Sequence, residues 1–420
     1  MKLWKKTIAV SFGKSLEYYD LAVYISLFTY LKYNFFPESI FGKDALFLVW
    51  ITFALRYIAR PIGGAVIGSY ADKYGKKSAL ILISILTGVS TLAIACLPTY
   101  TDIGIIAPCL FFTLQLIQAF SYAGESTTAY AFLLDEAKPY QRARVNACLA
   151  SAVLMAFILT FAICGLVKSF LTSEQMYDFG WRIPLFLGLF NISLSFYLRS
   201  KLKPTQASEA QKRIKSIEAA QLSRRDDIIS GLKVFFIFAP STMLLHSSIA
   251  MTVQIRTLTE NTPWHTMLPL LLKVLTILCC LVSAYIIDRY SDCHEAYKKN
   301  CKWMIALGIP IFMIQSSGSL PALITAQFCI TILMSVCLGC AGFVSYQAVK
   351  SKNCIAVFSV GFNLSVLFFG ACFPIAAQII KQYNSWLVGL LISFGGLCYF
   401  AALALDKYTQ PASASISTAS

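Results

Sequence analysis

Arg60-Pro61-Ile62-Gly63-Gly64-Ala65-Val66-Ile67-Gly68-Ser69-Tyr70-Ala71-Asp72-Lys73-Tyr74-Gly75-Lys76-Lys77 runs from the interior of an apolar stretch into a basic turn, and Ser78 opens a second apolar run that lasts to Leu97. Gly63, Gly64 and Gly68 leave room for a neighbouring helix backbone to come close. Asp72 and the three lysines put charge where one apolar helix ends and the next begins. Two membrane-crossing helices joined by a short charged turn account for this pattern.

The rest of the chain repeats it. Of 420 residues, 57% are hydrophobic and 13% charged, where a soluble protein carries about 25% charge. The apolar residues gather into twelve segments, at 7–30, 45–70, 78–97, 103–131, 145–167, 183–199, 232–258, 266–287, 302–320, 321–345, 355–380 and 385–405. Each is long enough to cross a ~30 Å hydrocarbon core as a helix. The expected fold is an all-α membrane protein of twelve transmembrane helices. Residues 1–199 form an N-terminal six-helix bundle and 232–406 a C-terminal one. Between them 200–231, the one long polar loop, is a cytoplasmic linker with amphipathic helical character. Residues 407–420, rich in Ser and Ala, form a disordered tail. Ala284, Asp288 and Ser291 follow Gly68, Asp72 and Gly75 at a constant offset of 216 residues, as a duplicated six-helix unit would leave.

A net charge of +15 invites a nucleic-acid partner, but its distribution argues against one. Of the 35 Lys and Arg, 22 lie in the tails and even-numbered loops and three more, Arg199, Lys233 and Lys302, at the span ends beside those loops; five lie in the opposite loops and five deeper inside spans. Short basic loops stay cytoplasmic, so both termini are expected inside. No cleavable signal peptide is expected, because Lys14, Glu17 and Asp20 interrupt the first apolar run. The 14 cysteines lie mostly within spans; Cys337-x-x-Cys340 has no histidine nearby and reads as buried thiols, since zinc needs three or four ligands.

Charges inside a span cost ~2.5–3.5 kcal/mol each and persist only toward a cavity or a partner. In span 1, Glu17, Asp20 and Tyr24 share one helix face, and Lys14 is placed either to neutralise Glu17 locally or to join them. In span 2, Arg56 and Arg60 stand one turn apart, and Pro61 can kink the helix. At ~1.5 Å per residue, Arg60 lies ~18 Å from the turn at Asp72, Asp20 ~20 Å from the start of span 1, and Glu125 ~15 Å from Asp135. Asp20, Arg60 and Glu125 are therefore expected to share one chamber. Arg56 either joins them or snorkels toward the outer face. Lys273, ~10 Å inside span 8, reads as snorkelling or as a carboxylate ligand. His246, Gln254, Arg256, Gln327 and Asn363 complete the polar residues of the second half, whose spans contain no Asp or Glu. His265 and His294, like His246, have no ligand-spaced partner, and no nucleophile–base pair or phosphate loop appears, so an enzyme is not expected.

Gly68-x-x-x-Asp72-x-x-Gly75-Lys76-Lys77 resembles the loop between helices 2 and 3 of major facilitator superfamily transporters. Arg60-Pro61-x-Gly63-Gly64 resembles their metabolite:H+ symporter branch, which includes permeases for proline/betaine, citrate, 2-oxoglutarate and shikimate. Four further stretches are similar to that branch in order: Gly13 to Leu21, Gln118 to Glu125, Gly180-Trp181-Arg182-Ile183-Pro184, and Asn363 with Phe369-Gly370-Ala371 and Pro374. Departures include Gln115, which stands where the family has an arginine associated with proton coupling.

The resemblance implies the major facilitator fold and proton-coupled uptake of a small organic acid, amino acid or zwitterionic osmolyte by alternating access. Efflux or exchange of a small metabolite, or a membrane sensor without flux, are the alternatives. Glu17, Asp20, Tyr24, Arg56, Arg60 and Glu125 are the expected substrate- and proton-binding residues. Gly68, Asp72, Gly75, Lys76, Lys77, Arg142, Gly370 and Pro374 are expected in gating. No metal or cofactor is expected; a proton or cation gradient supplies the driving force. The expected setting is a bacterial inner membrane, with lipids and a small-molecule substrate as partners, and a monomer.

Overall fold

The computed structural model describes residues 3–42, 44–202, 223–260 and 267–408; at residues 16–17, 44–54, 189–192 and 407–408 it describes backbone but not side chains. Among the described residues all regular structure is helical. The helices are α1 (Leu3–Ser26), α2 (Asp44–Tyr74), α3 (Lys76–Ala95), α4 (Ile106–Tyr122), α5 (Glu125–Leu134), α6 (Arg142–Phe170), α7 (Arg182–Ser200), α8 (Arg224–Leu258), α9 (Met267–Tyr290), α10 (Cys293–Ser316), α11 (Leu320–Ala348), α12 (Cys354–Ser365), α13 (Ala371–Tyr383) and α14 (Gly389–Ala404). Each of the twelve expected spans is present. Span 4 is α4 with α5, broken at Ala123-Gly124, and span 11 is α12 with α13 around a π-helical turn at Val366–Gly370. Among the described residues nine spans are long and apolar enough to cross a membrane. The other three are α1, with Lys14, Glu17 and Asp20, α2, with Arg56 and Arg60, and α10, with the run Glu295 to Lys302.

The chain forms two compact units, Met1–Ala137 with Cys148–Thr205, and Lys138–Ala147 with Gln206–Ser420. The expected boundaries shift at two places. Lys138–Ala147 groups with the second unit because Asp288, at the end of α9, caps the start of α6. Its carboxylate accepts the backbone N–H of Ala143 at 2.9 Å and of Arg144 at 3.0 Å, and the Arg144 Nε at 2.9 Å. A carboxylate on the free N–H groups of a helix start satisfies them and the helix dipole together. The second change is that α8 begins at Arg224, inside the stretch expected to be linker. Ser223 donates its backbone N–H at 2.8 Å and its hydroxyl at 2.9 Å to Asp226, so a helix cap replaces loop there. Residues 203–222 of the expected linker and 409–420 of the expected tail lie outside the described residues, while Leu405–Tyr408 is a 3-10 turn.

In the first unit, α2 shows why its sequence is a one-sided helix. Ile58, Ile62 and Val66 are exposed at four-residue spacing, the stripe a lipid-facing helix presents. Arg56, Arg60, Gly63 and Ile67 occupy the opposite face. There α2 and α4 interlock reciprocally: a Cβ on Gly63 would lie 2.8 Å from the Phe120 Cα, and one on Gly124 would strike the Ile67 side chain. Small residues on each helix thus admit the bulk of the other. Gly63→Val is expected to destabilise by about 1–3 kcal/mol through overpacking, read as earlier melting of the purified protein. Gly75, at φ +95° with open space around it, makes the turn into α3.

Candidate functional site

Asp20 is the centre of the polar cluster in the first unit. It is 4% exposed, on α1. One carboxylate oxygen, Oδ2, accepts three hydrogen bonds: from Tyr122 Oη at 2.6 Å, Thr91 Oγ1 at 2.7 Å and Gln118 Nε2 at 3.0 Å. Gln118 also donates to Thr91 Oγ1 at 3.0 Å, which locks α3 and α4 around the carboxylate. The other oxygen, Oδ1, has no hydrogen-bond donor among the described residues. It faces Gly188 of α7, where a Cβ would come within 3.2 Å of it. Glycine there lets α7 close over the acid.

The positive charge comes from α2. Arg56 is buried at 5% exposure and its guanidinium lies over the Tyr24 ring at 5.6 Å, within electrostatic range of Asp20. Arg56 therefore joins the cluster and does not snorkel. Its Nη1 has no acceptor among the described residues. Arg60, one turn on, shares with Arg56 a cavity of about 20 Å³, lined also by Tyr18 and Leu21 of α1, Tyr57 of α2, and Ala119 and Tyr122 of α4. That is room for about one water molecule. Among the described residues Asp20 is thus held in place by three neutral donors, with a guanidinium near but no ion pair to break. It can gain or lose a proton without losing its position. Tyr24, Asp20, Arg56 and Arg60 come together as expected; the side chain of Glu17 lies outside the described residues.

Glu125 goes elsewhere. It is 1% exposed and forms an ion pair with Arg199, which is equally buried near the end of α7. Arg199 Nη1 also donates to the Leu80 carbonyl at 3.0 Å and the Ser84 hydroxyl at 2.8 Å. Gly13 of α1 permits this, since any Cβ there would collide with the guanidinium. The expected sharing of one chamber by Asp20, Arg60 and Glu125 is corrected on this point. Glu125 follows Tyr122, the Asp20 partner, by three residues, so it sits ~5 Å further along the span, and beyond the break at Ala123-Gly124. Lys14 also belongs to this lower layer, with its Nζ 3.4 Å from Tyr130 Oη and 4.5 Å from that ring's centre.

Arg199 was hidden in the sequence among the basic residues that mark a loop. Thr91, Gln118 and Tyr122 were hidden as ordinary polar residues. One signal was available: Gln118 and Tyr122 stand four apart on the face of α4 that also carries Gln115, and all three are buried.

The turn residues satisfy helix ends. Lys76 Nζ donates to the Ala131 carbonyl at 3.0 Å and pairs with Asp135. Lys77 Nζ donates to the Ser200 carbonyl at 2.9 Å. Gly68 is buried and Asp72 half-buried at the end of α2. In the second unit the Arg142 guanidinium lies 4.4 Å from the centre of the Phe343 ring. Gly370 ends the π-helical turn, where a Cβ would touch His246 at 3.0 Å, and Pro374 follows inside α13. His246 Nδ1 is 2.8 Å from the Thr242 carbonyl oxygen, and Gln315 Nε2 donates to Gln254 at 2.8 Å. Asn363 Nδ2 donates to the Ser359 carbonyl at 2.8 Å, Arg256 is exposed, and His265 lies outside the described residues. Cys337 and Cys340 are fully buried, with Asn300 Nδ2 3.2 Å from the Cys337 sulfur. Lys273 reaches inward to Ser248, with its Nζ 3.3 Å from that hydroxyl.

A family model described as Major Facilitator Superfamily matches residues 10–354. Over 403 residues the chain is 28% identical to the Staphylococcus aureus (strain COL) protein named "Putative proline/betaine transporter", covering 92% of this chain and 82% of that protein. It is 30% identical over 238 residues to the proline/betaine transporter of Escherichia coli (strain K12), covering 56% of this chain and 46% of that protein. Among solved structures, the partially occluded, inward-open xylose transporter XylE from E. coli matches with a TM-score of 0.65 at 17% identity, over 97% of this chain and 98% of that one. At that identity the likeness speaks for the fold alone.

Proposed function

Because the chain belongs to the Major Facilitator Superfamily, we propose that it moves a small organic solute across a membrane by secondary active transport, with Asp20 as the group that takes up and releases the coupling proton. It is a carrier, not an enzyme. The observation behind the proton role is the Asp20 carboxylate, buried inside a membrane-crossing bundle, with one oxygen held by Tyr122, Thr91 and Gln118 and the other without a donor among the described residues. Such a group is costly in hydrocarbon and persists where it has work to do. Arg56 and Arg60 border one cavity, lined also by Tyr122, a donor to Asp20, and supply the positive charge that a solute carboxylate, or the ionised Asp20, would neutralise.

The relatives' names point to proline or betaine, solutes that carry one carboxylate and one positive nitrogen. Arg56 and Arg60 suit the first; Asp20 and the rings of Tyr18, Tyr24 and Tyr57 suit the second. Gln115, buried on α4, stands where the family has an arginine associated with proton coupling, so the response to a pH gradient is the measurement that decides the proton role. The relatives are bacterial, and the basic loops favour both termini on the cytoplasmic side of an inner membrane. No cofactor enters the cycle, and the monomer is sufficient for it.

The experiment is counterflow in proteoliposomes loaded with unlabelled proline, glycine betaine, citrate or 2-oxoglutarate, with and without an imposed pH gradient. Exchange of at least one of these, accelerated or concentrated by an acid exterior, is the expected result. Exchange with no response to the gradient would leave a carrier and remove the proton role. Binding with no exchange would leave a sensor.

A further inference from the structure

We infer that Lys273, Gln327 and Ser248 form a carboxylate-accepting site inside the second unit, so that the solute recognised there is an anion or a zwitterion. This deepens the transport reading and rests on it.

Lys273 lies at least six residues inside α9, of which the described part begins at Met267. The spans of the second half contain no Asp or Glu, so no carboxylate of those spans neutralises it. Its Nζ reaches Ser248 Oγ on α8, ten residues back from the end of that helix and so ~15 Å inside it.

Gln327 of α11 meets the same hydroxyl, donating from Nε2 at 2.8 Å. Both Gln327 and Ser248 are fully buried, and Gln327 Oε1 has no donor among the described residues. Thr276 and Thr331 lie 3.5 Å apart, one turn further along α9 and α11. Three helices thus bring an ammonium, an amide and a hydroxyl to one point, with every charge-bearing group of the same sign. A carboxylate is the complement: it would accept from the ammonium and the amide N–H together, as charge-assisted hydrogen bonds. A phosphate or sulfate would bring a second charge with only one cation to meet it.

The test uses the full-length protein, purified and reconstituted. The probes are glycine betaine, proline and 2-oxoglutarate, with choline, which has the cation of betaine but no carboxylate, and chloride as an inorganic anion. Binding is read by calorimetry and flux by counterflow, in wild type, Lys273→Gln, Lys273→Arg and Gln327→Glu. The wild type is expected to bind a carboxylate solute and not choline or chloride. Lys273→Gln is expected to weaken that binding at least tenfold, and Lys273→Arg to keep it within about threefold.

Gln327→Glu tests the same site without relying on the loss of a group. It puts a carboxylate next to Lys273, so the protein should melt later while its affinity for carboxylate solutes falls. A purely structural lysine would give the first change without the second. Unchanged carboxylate binding in Lys273→Gln or in Gln327→Glu overturns the site and leaves transport intact. So does a wild type that carries only choline-like solutes. Carboxylate binding that depends on Lys273 without any flux upholds the site and removes transport. No binding and no flux of any carboxylate removes both.

Discussion

Arg199→Met is expected to destabilise the protein by about 3–5 kcal/mol, more than any other single substitution considered, because it strands the Glu125 charge in a buried place. Glu125 and Arg199 are each about 1% exposed, and no water can replace the lost partner without opening α5 from α7. The loss is not only of charge. Arg199 also holds the Leu80 carbonyl and the Ser84 hydroxyl of α3, and its planar head fills the gap left by Gly13. Lysine at 199 could reach Glu125 but could not make the fork of hydrogen bonds, so Arg199→Lys should fall between wild type and Arg199→Met. The double variant Glu125→Leu with Arg199→Met removes both charges and should recover much of the loss, since a buried ion pair replaced by apolar residues is often neutral or better. Melting of the purified variants in detergent reads the series. If Arg199→Met melts with the wild type, the pair does not hold the unit together.

Asp20→Asn carries the largest functional effect. Asparagine keeps the shape and can still accept from Tyr122 and Thr91, so the fold should survive, but it cannot carry a proton on and off. A pH difference of one unit is worth ~1.4 kcal/mol per proton, which concentrates a solute about tenfold when one proton accompanies each molecule. The wild type should approach that ratio in vesicles with no membrane potential. Asp20→Asn should stop near equal concentrations inside and out, while still exchanging labelled for unlabelled solute. The split between exchange and accumulation separates a proton role from a structural one. A variant that accumulates solute as the wild type does places the proton on another group, and one that exchanges nothing assigns Asp20 to solute binding.

The two variants also divide what could be read in advance from what could not. Asp20, Tyr24, Arg56 and Arg60 were legible because charge and tyrosine inside an apolar run are conspicuous, and because residues three and four apart must share a helix face. Glu125 was legible as a buried acid and misassigned as to partner. Depth along the axis was estimated within a few residues, but the break at Ala123-Gly124 and the direction of the side chain around the axis were not in that arithmetic. Arg199 was counted with the loop charges because nothing in its neighbours along the chain marks it as buried. The same holds for Asp288, recognised as an echo of Asp72 but not as the cap that ties Lys138–Ala147 to the second unit.

Sequence alone determined the number and order of the membrane-crossing helices, the charged turn at Asp72 to Lys77, and the charges carried inside spans 1 and 2. These follow from segment length and from the cost of ions in hydrocarbon, both properties of a single stretch of chain. Only the tertiary structure decided the partners: Asp20 with Tyr122, Thr91 and Gln118; Glu125 with Arg199; Lys273 with Ser248. Partnership depends on how far each helix is rotated about its axis and how closely the next one packs. Glycines such as Gly13, Gly63 and Gly188 set that approach through contacts with residues distant in the chain, which no local pattern encodes.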